Sequence, residues 1–150
     1  MILKKDNSAK NFFSAKEKRV ISHVIAEAEL NTSGEIRLHI ENNCAGDVFA
    51  QATKVFYILK MNDTKHKNAV LFYLAVKDKK FAIVADKGIN DMVPVNFWDT
   101  IKNNMQAHFA EKKFHAGICQ AIEITGIKLQ EFFPYEDGDT NELSNEISIG

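Results

Sequence analysis

An α/β fold, a three-layer α/β/α sandwich with a small central sheet and helices on both faces, is predicted by three features of the sequence. Residues 69–76 are continuously apolar, as in a central strand buried on both faces. Residues 35–41 alternate apolar and polar, the period of a half-buried strand. Four further segments carry apolar stripes at helical spacing, enough to cover both faces of a sheet.

A first helix is predicted from Ser14, because Ser14-Ala-Lys-Glu17 has capping-box spacing and Val20, Ile21, Val24, Ile25 and Ala28 follow at helical intervals. It ends near Asn31-Thr-Ser-Gly34, and Glu35–Glu41 follows as the first strand, with Ile36, Leu38 and Ile40 on one face and Arg37 and His39 on the other. Asp47 can cap a second helix whose stripe is Val48, Ala52, Val55, Phe56 and Leu59. Ala69–Val76 is the buried strand, Asp78-Lys79 the turn, and Lys80–Ala85 its hairpin partner. Gly88 turns the chain. Pro94 suits the first turn of a third helix bearing Phe97, Trp98, Ile101, Met105 and Phe109. A fourth runs from about His115 to Phe133, with Ile118, Ile122, Thr125, Leu129 and Phe132 inward and Pro134 stopping it. Gly117 and Gly126 each cost that helix about 1 kcal/mol relative to Ala, so close backbone packing is their expected reason. The predicted order is α-β-α-β-β-α-α.

At 150 residues the chain has the size of one domain. Residues 1–13 read as an N-terminal lead, 14–134 as the domain, and 135–150 as an acidic, flexible tail in which Leu143, Ile147 and Ile149 are the side chains able to dock. The net charge of −1 gives no global pull toward nucleic acid or an anionic membrane. It is unevenly spread: residues 136–150 hold five of the 20 acids and none of the 19 bases, leaving +4 on the rest. Two distant cysteines, Cys44 and Cys119, suggest neither a disulfide framework nor a zinc ribbon. With no signal-peptide pattern and no run long enough to span a bilayer, a cytoplasmic location without membrane insertion is expected.

Several chemistries have no carrier. No glycine spacing forms a phosphate-cradling loop, and neither cysteine is followed six residues later by the Arg that would pair a thiolate with a phosphate-binding guanidinium. Asp137-Gly-Asp139-Thr140 is superficially like an aspartyl-phosphate motif but lies beyond the last helix; the same stretch begins like a calcium loop, yet Glu142 stands where the turning Gly belongs. His115 and Cys119, four apart on a helix, lack a third partner. The Phe and Trp of the third helix have core spacing.

The informative acids sit where strands begin and end. Glu35 opens the first strand, Asp86 ends the third, Asp91 lies just past Gly88, and Asp63 lies in the loop leading into the buried strand. Loops at strand ends gather at a crevice, and converging carboxylates there suit a hard divalent cation. Spacing alone leaves helix caps and exposed loop acids as the alternative.

Thr32-Ser-Gly-Glu35-Ile-Arg-Leu-His-Ile40, Asn68-Ala-Val-Leu-Phe-Tyr-Leu-Ala-Val76 and Phe81-Ala-Ile-Val-Ala-Asp86-Lys-Gly88-Ile-Asn-Asp91 stand in the order seen in TPM-domain proteins, which the chain resembles over about residues 11–134. That family includes thylakoid-lumen proteins linked to photosystem II repair and many bacterial proteins; this chain resembles a short soluble bacterial version. The resemblance implies an α/β/α sandwich with an acidic pocket able to take calcium, and an acid-phosphatase activity has been attributed to plant members. Position by position, Glu35 and Asp86 match the family pattern, Asp91 matches an acid after the glycine turn, and Asp63 corresponds to a variable acidic loop. The family turn usually reads Gly-x-Gly, where this chain has Asp86-Lys-Gly88. Together these readings give the expected function: a calcium-binding and protein-interaction module, with a metal-assisted, acid-phosphatase-like hydrolase as the alternative.

Overall fold

A computed structural model describes residues 8–136 and 141–150 of the chain. Helix α1 (Ala15–Glu29) starts where its residues predict. Ser14 Oγ accepts the Glu17 amide at 3.1 Å and Glu17 Oε1 accepts the Ser14 amide at 2.9 Å, a reciprocal box that satisfies amides a helix start otherwise leaves open. Strand β1 (Glu35–Glu41) follows, then α2 (Val48–Ile58), capped by the Asp47 carboxylate accepting the Ala50 amide at 2.8 Å. Strands β2 (Ala69–Ala75) and β3 (Lys80–Ala85) form the hairpin. The short α3 (Lys87–Asn90), α4 (Asp99–Ala110), α5 (Phe114–Phe132) and β4 (Ser148–Ile149) complete the order.

The sheet order is β3-β2-β1-β4, with β1 parallel to both β2 and β4 and β3 antiparallel to β2. All seven residues of β2 are buried, which is why that stretch reads as uninterrupted apolar sequence. Alternation along the strands divides the interior in two. Ile36, Leu38, Ile40, Val70 and Phe72 pack with Ile21 and Ile25 of α1, Ile101 and Met105 of α4, and Ile118 and Ile122 of α5. Leu71, Tyr73, Ala82 and Val84 pack on the other side with Ala52, Val55 and Phe56 of α2. One helix on one face and three on the other make the three-layer sandwich.

Both glycines of α5 are there for close approach. A Cβ on Gly126 would lie 2.7 Å from Ala28 Cβ of α1, and one on Gly117 would lie 2.9 Å from His108 Cβ of α4, so the helix packs backbone-close on both neighbours.

The structure departs from the sequence reading in four places. Pro94 opens a turn, with the Phe97 amide on the Pro94 carbonyl at 3.0 Å, and regular helix begins only at Asp99. That turn lets Phe97 meet Trp98 and Phe132 edge-on, with centroids 4.9 and 5.9 Å apart. After Asp86 the chain makes the helical turn α3, not a simple turn. Residues 8–13 of the lead are part of the body: Ala9 and Phe13 are buried and the Ala9 amide donates to Asn42 Oδ1 at 2.6 Å. The described part of the tail, residues 141–150, lies along β1 and supplies β4, because β1 would otherwise end the sheet with unpaired amides and carbonyls. Among the described residues, no helix is long and apolar enough to cross a membrane.

Candidate functional site

The strand directions bring two of the predicted acids to one end of the sheet. Glu35 stands opposite Ala69 in the β1–β2 register, and the Asp86 amide donates to the Ala69 carbonyl at 3.0 Å. Because β3 runs against β2 and β1 runs with it, the end of β3 and the start of β1 flank the start of β2, so Glu35, Ala69 and Asp86 form one row across three strands. These acids thus stand at the amino ends of β1 and β2, not at the carboxyl ends where parallel sheets usually gather ligands.

This end of the sheet is rich in buried polar groups: Thr32, Glu35, Thr64 and Asn68 are all nearly inaccessible. Asn68 is held from its backbone and its amide nitrogen, which donates to Ser33 Oγ at 3.2 Å, while its carbonyl accepts the Glu35 amide at 3.3 Å. Asp86 Oδ1 accepts the Lys87 amide at 2.7 Å and caps α3. Asn68 Oδ1 and Asp86 Oδ2 remain buried without a hydrogen-bond partner, and Glu35 Oε2 lacks one as long as the neighbouring Glu29 carboxyl is ionised.

A second carboxyl, Glu29 at the end of α1, adjoins Glu35. Glu29 Oε2 accepts the Ile36 amide at 2.8 Å, and Glu35 Oε1 accepts the Glu142 amide at 2.6 Å. Burial, reinforced by the negative charge of Glu35, pushes the Glu29 carboxyl up to about 9. Burial also raises Glu35, against the pull of the Glu142 amide. The hydrogen bond between the two carboxyls favours the proton on Glu29 and the charge on Glu35.

Asp63 and Asp91 lie outside this buried cluster. Asp63 is exposed and lines an open groove of about 360 Å³ together with Arg37, Lys60, Thr64, Glu142 and Ser144. Asp91 is exposed at the end of α3, its amide on the Lys87 carbonyl at 2.9 Å. Among the described residues, no three His, Cys, Asp or Glu side chains are arranged to hold a metal ion. The side-chain oxygens of Glu35, Asn68 and Asp86 are the donor type that hard cations take.

The polar face of β1 continues from this end beneath the tail. His39 Nδ1 lies 2.9 Å from Ser148 Oγ and His39 Nε2 lies 2.9 Å from Glu41 Oε1. Glu41 Oε2 accepts from Tyr73 Oη and, at 3.0 Å, from Gln51 Nε2. Burial alone would raise the Glu41 carboxyl, but the Tyr73, His39 and Gln51 bonds outweigh it and hold it below the ordinary value. Ser148, His39 and Glu41 have the connectivity of nucleophile, base and acid. The Gly150 amide beside them is already committed to the Ile40 carbonyl at 2.9 Å and is not free to hold an oxyanion.

Other motifs resolve structurally. His115 Nε2 lies 3.2 Å from the Glu17 carbonyl and 3.8 Å from Cys119 Sγ, whose thiol burial pushes up to about 11, so the pair serves packing between α5 and α1. Asp137 and Asp139 fall outside the described residues. Glu29, Asn68, Arg37 and Glu142 are the site residues that sequence reasoning missed. Glu29 had a signal, since it follows Ile21 and Ile25 at four-residue spacing and so puts an acid on the core stripe of α1.

A family model for the TPM domain matches residues 7–126. Among curated proteins none shows significant similarity to the chain. The solution structure of the BA42 protein from the psychrophilic bacterium Bizionia argentinensis is 47% identical, with a TM-score of 0.88 over 93% of this chain and 96% of that one. The N-terminal domain of the cg2496 protein from Corynebacterium glutamicum, at 11% identity, shares the fold with a TM-score of 0.64 over 97% of this chain and 87% of that one. With 120 consecutive positions under one family model and a near-full-length relative at this identity, the chain belongs to the TPM-domain family.

Proposed function

We propose that this TPM-domain chain is a divalent-cation-binding and protein-interaction module, and that calcium is the cation its donors suit. The observation that carries the cation reading is a pair of unpartnered buried oxygens, Asn68 Oδ1 and Asp86 Oδ2, at the same end of the sheet as the Glu35 carboxylate. Each such acceptor left without a donor costs about 1–3 kcal/mol, and a hard cation offers what hydrogen bonding there does not. Calcium accepts carboxylate, amide and water oxygens at about 2.3–2.6 Å. Glu35 and Asp86 would hold it from the sheet end with water in the remaining positions, while the exposed Asp63 and Asp91 stand outside that cluster. The near-neutral net charge favours a protein over a nucleic acid as partner, and the two free cysteines suit a reducing, cytoplasmic setting.

The test is a calcium titration of the metal-stripped protein followed by amide chemical shifts. Shifts clustered on Glu35, Asn68 and Asp86, and lost in Asp86→Asn, support the reading. No shift below millimolar calcium, or shifts confined to residues 136–150, overturns it.

One observation favours a second reading, a metal-assisted phosphatase. Arg37 lines the groove beside Asp63 and Glu142, and its Nε is buried without a partner, which supplies the cationic group that holding a phosphoryl anion requires. A bound cation would supply charge at the phosphoryl oxygen; Arg37 would orient the anion and Glu35 would take a proton from water. Turnover of a chromogenic phosphate ester that disappears in Asp86→Ala and in Arg37→Ala, with the fold intact, supports it; turnover unchanged in both sinks it.

A further inference from the structure

We propose that β1 is a receptor for an extended acidic strand, occupied in this chain by residues 146–150, and that a protein partner docks by placing a strand of the same chemistry there. The inference rests on the interaction half of the function proposed above; it shares Glu35 with the cation half, so the test is run with calcium and with chelator.

The side chains of β1 on its α2 side are Glu35, Arg37, His39 and Glu41, an unusual set for a strand so nearly enclosed. Buried polar groups need partners; residues 141–150 supply them to Glu35 and His39 and a counter-charge to Arg37, while Glu41 is served by Tyr73, Gln51 and His39. The Glu142 amide serves Glu35. Glu146 places its negative charge toward Arg37, countering the loss of hydration that weakens the guanidinium's hold on its proton. Ser148 Oγ serves His39, and the Gly150 amide serves the Ile40 carbonyl.

The same contacts define what the receptor accepts. Position 150 favours glycine, because a Cβ there would lie 2.9 Å from His39 Nε2 and 3.0 Å from Glu41 Oε1 and would push on the buried His39 ring. Position 148 faces His39 and takes a hydroxyl. On the opposite side of the strand, Ile147 and Ile149 border a groove of about 430 Å³ that also carries Lys18 and Arg19 of α1, cations suited to an acidic segment. The pattern is an acid, an apolar residue, a hydroxyl residue, an apolar residue and glycine, read by alternate side chains while the backbone pairs with β1. That is how strand addition combines affinity with specificity.

The resident strand is built to be exchanged. Only His39–Ser148 and Ile40–Ile149 pair. Of the tail's apolar side chains, Leu143 and Ile147 are half-buried against the two cores, while Ile149 is 40% exposed. Few buried apolar contacts and short pairing mark the low-stability end of a structure, the part that opens first.

The test uses the full chain and a fluorescently labelled peptide of residues 141–150, with calcium and with chelator. Ile147→Asp removes the strand's anchor. Gly150→Val acts at the edge alone, should the first variant disturb the body. In each, loss of amide protection on the outer side of β1 with β2 and β3 unchanged reports release. The peptide is expected to bind a released variant at least tenfold tighter than the unaltered chain, shifting the amides of 35–41, and to lose that binding when its own Gly150 is replaced by Val. Peptide that binds released and unaltered chains equally, binds neither, or shifts residues away from β1 overturns the proposal, as does a tail that neither variant releases. Concentration-dependent dimers of the unaltered chain that exchange this strand would assign the receptor to a second copy and overturn the partner reading. Loss of peptide binding with calcium shifts intact sinks this inference alone.

Discussion

Glu29 and Glu35 share one buried site at the start of β1, and the two are placed by different elements for different reasons. Glu29 reaches the Ile36 amide from the last turn of α1, while Glu35 is the first residue of β1 and accepts the amide of Glu142 from the tail. Two carboxyls this close do not both ionise at neutral pH. The proton stays on Glu29, whose carboxyl burial raises to about 9, and the pair acts as one singly charged unit.

Glu29→Gln is therefore expected to flatten the pH dependence of stability. In the unfolded chain Glu29 loses its proton near the ordinary value of 4.5, whereas in the folded chain it keeps it to about 9. The folded state thus binds the extra proton across that window, and stability is fullest below pH 4.5 and declines as pH rises toward 9. Gln reproduces the protonated acid, accepting from Ile36 and donating to Glu35. Urea midpoints at pH 5, 7 and 9 should fall for the unaltered chain and hold nearly level for the variant; parallel declines would show that Glu29 is not the proton holder.

On the proposed calcium reading, affinity should rise with pH for the same reason. A cation on Glu35 repels the neighbouring proton, so binding becomes easier as Glu29 nears its own titration, by up to about tenfold per pH unit below pH 9. Calorimetric titrations at pH 6 and 8.5 should show the gain. Equal affinity at both would mean that the proton stays in place and that the cation does not sense this pair.

Gly126→Ala should destabilise the fold although it improves the helix. Alanine is worth about 1 kcal/mol over glycine inside a helix. The added methyl would sit 2.7 Å from Ala28 Cβ and 2.9 Å from the Ala28 carbonyl, and pushing α1 and α5 apart costs typically 1–3 kcal/mol. The expected net loss is about 1 kcal/mol, read as a lower urea midpoint at unchanged slope. A stabilised variant would show that α1 moves aside freely.

Periodicity made most of the fold legible. The capping box at Ser14, the alternation of β1 and the wholly apolar β2 each report a local cause, and all three stand where the residues place them. β4 is different in kind. Two residues in an acidic stretch carry no strand signal, and Ser148–Ile149 becomes a strand only because β1 offers an edge. The site was half legible: Glu35 and Asp86 mark strand ends and the hairpin is predicted, but their sharing one end of the sheet also depends on β1 pairing parallel with β2, which spacing does not encode. Asn68 was hidden because a buried amide before an apolar run looks like an ordinary turn residue.

Tyr73→Phe tests whether the Glu41 network acts through charge. Tyr73 is fully buried on β2 and donates to Glu41, which also receives from Gln51 and bonds His39. These bonds hold the Glu41 carboxyl below its ordinary value, so they contribute stability that is present above pH 4.5 and is lost as pH falls through the depressed value of the folded chain. Removing one hydrogen bond to a charged group costs about 1.5–3 kcal/mol. The variant should show that deficit by urea unfolding at pH 7 and a smaller one at a pH low enough to protonate the carboxylate in folded and unfolded chains alike. Its acid unfolding should also begin at higher pH. A deficit of the same size at both pH values would place the loss in packing against α2, and Glu41 would then be a passenger on β1.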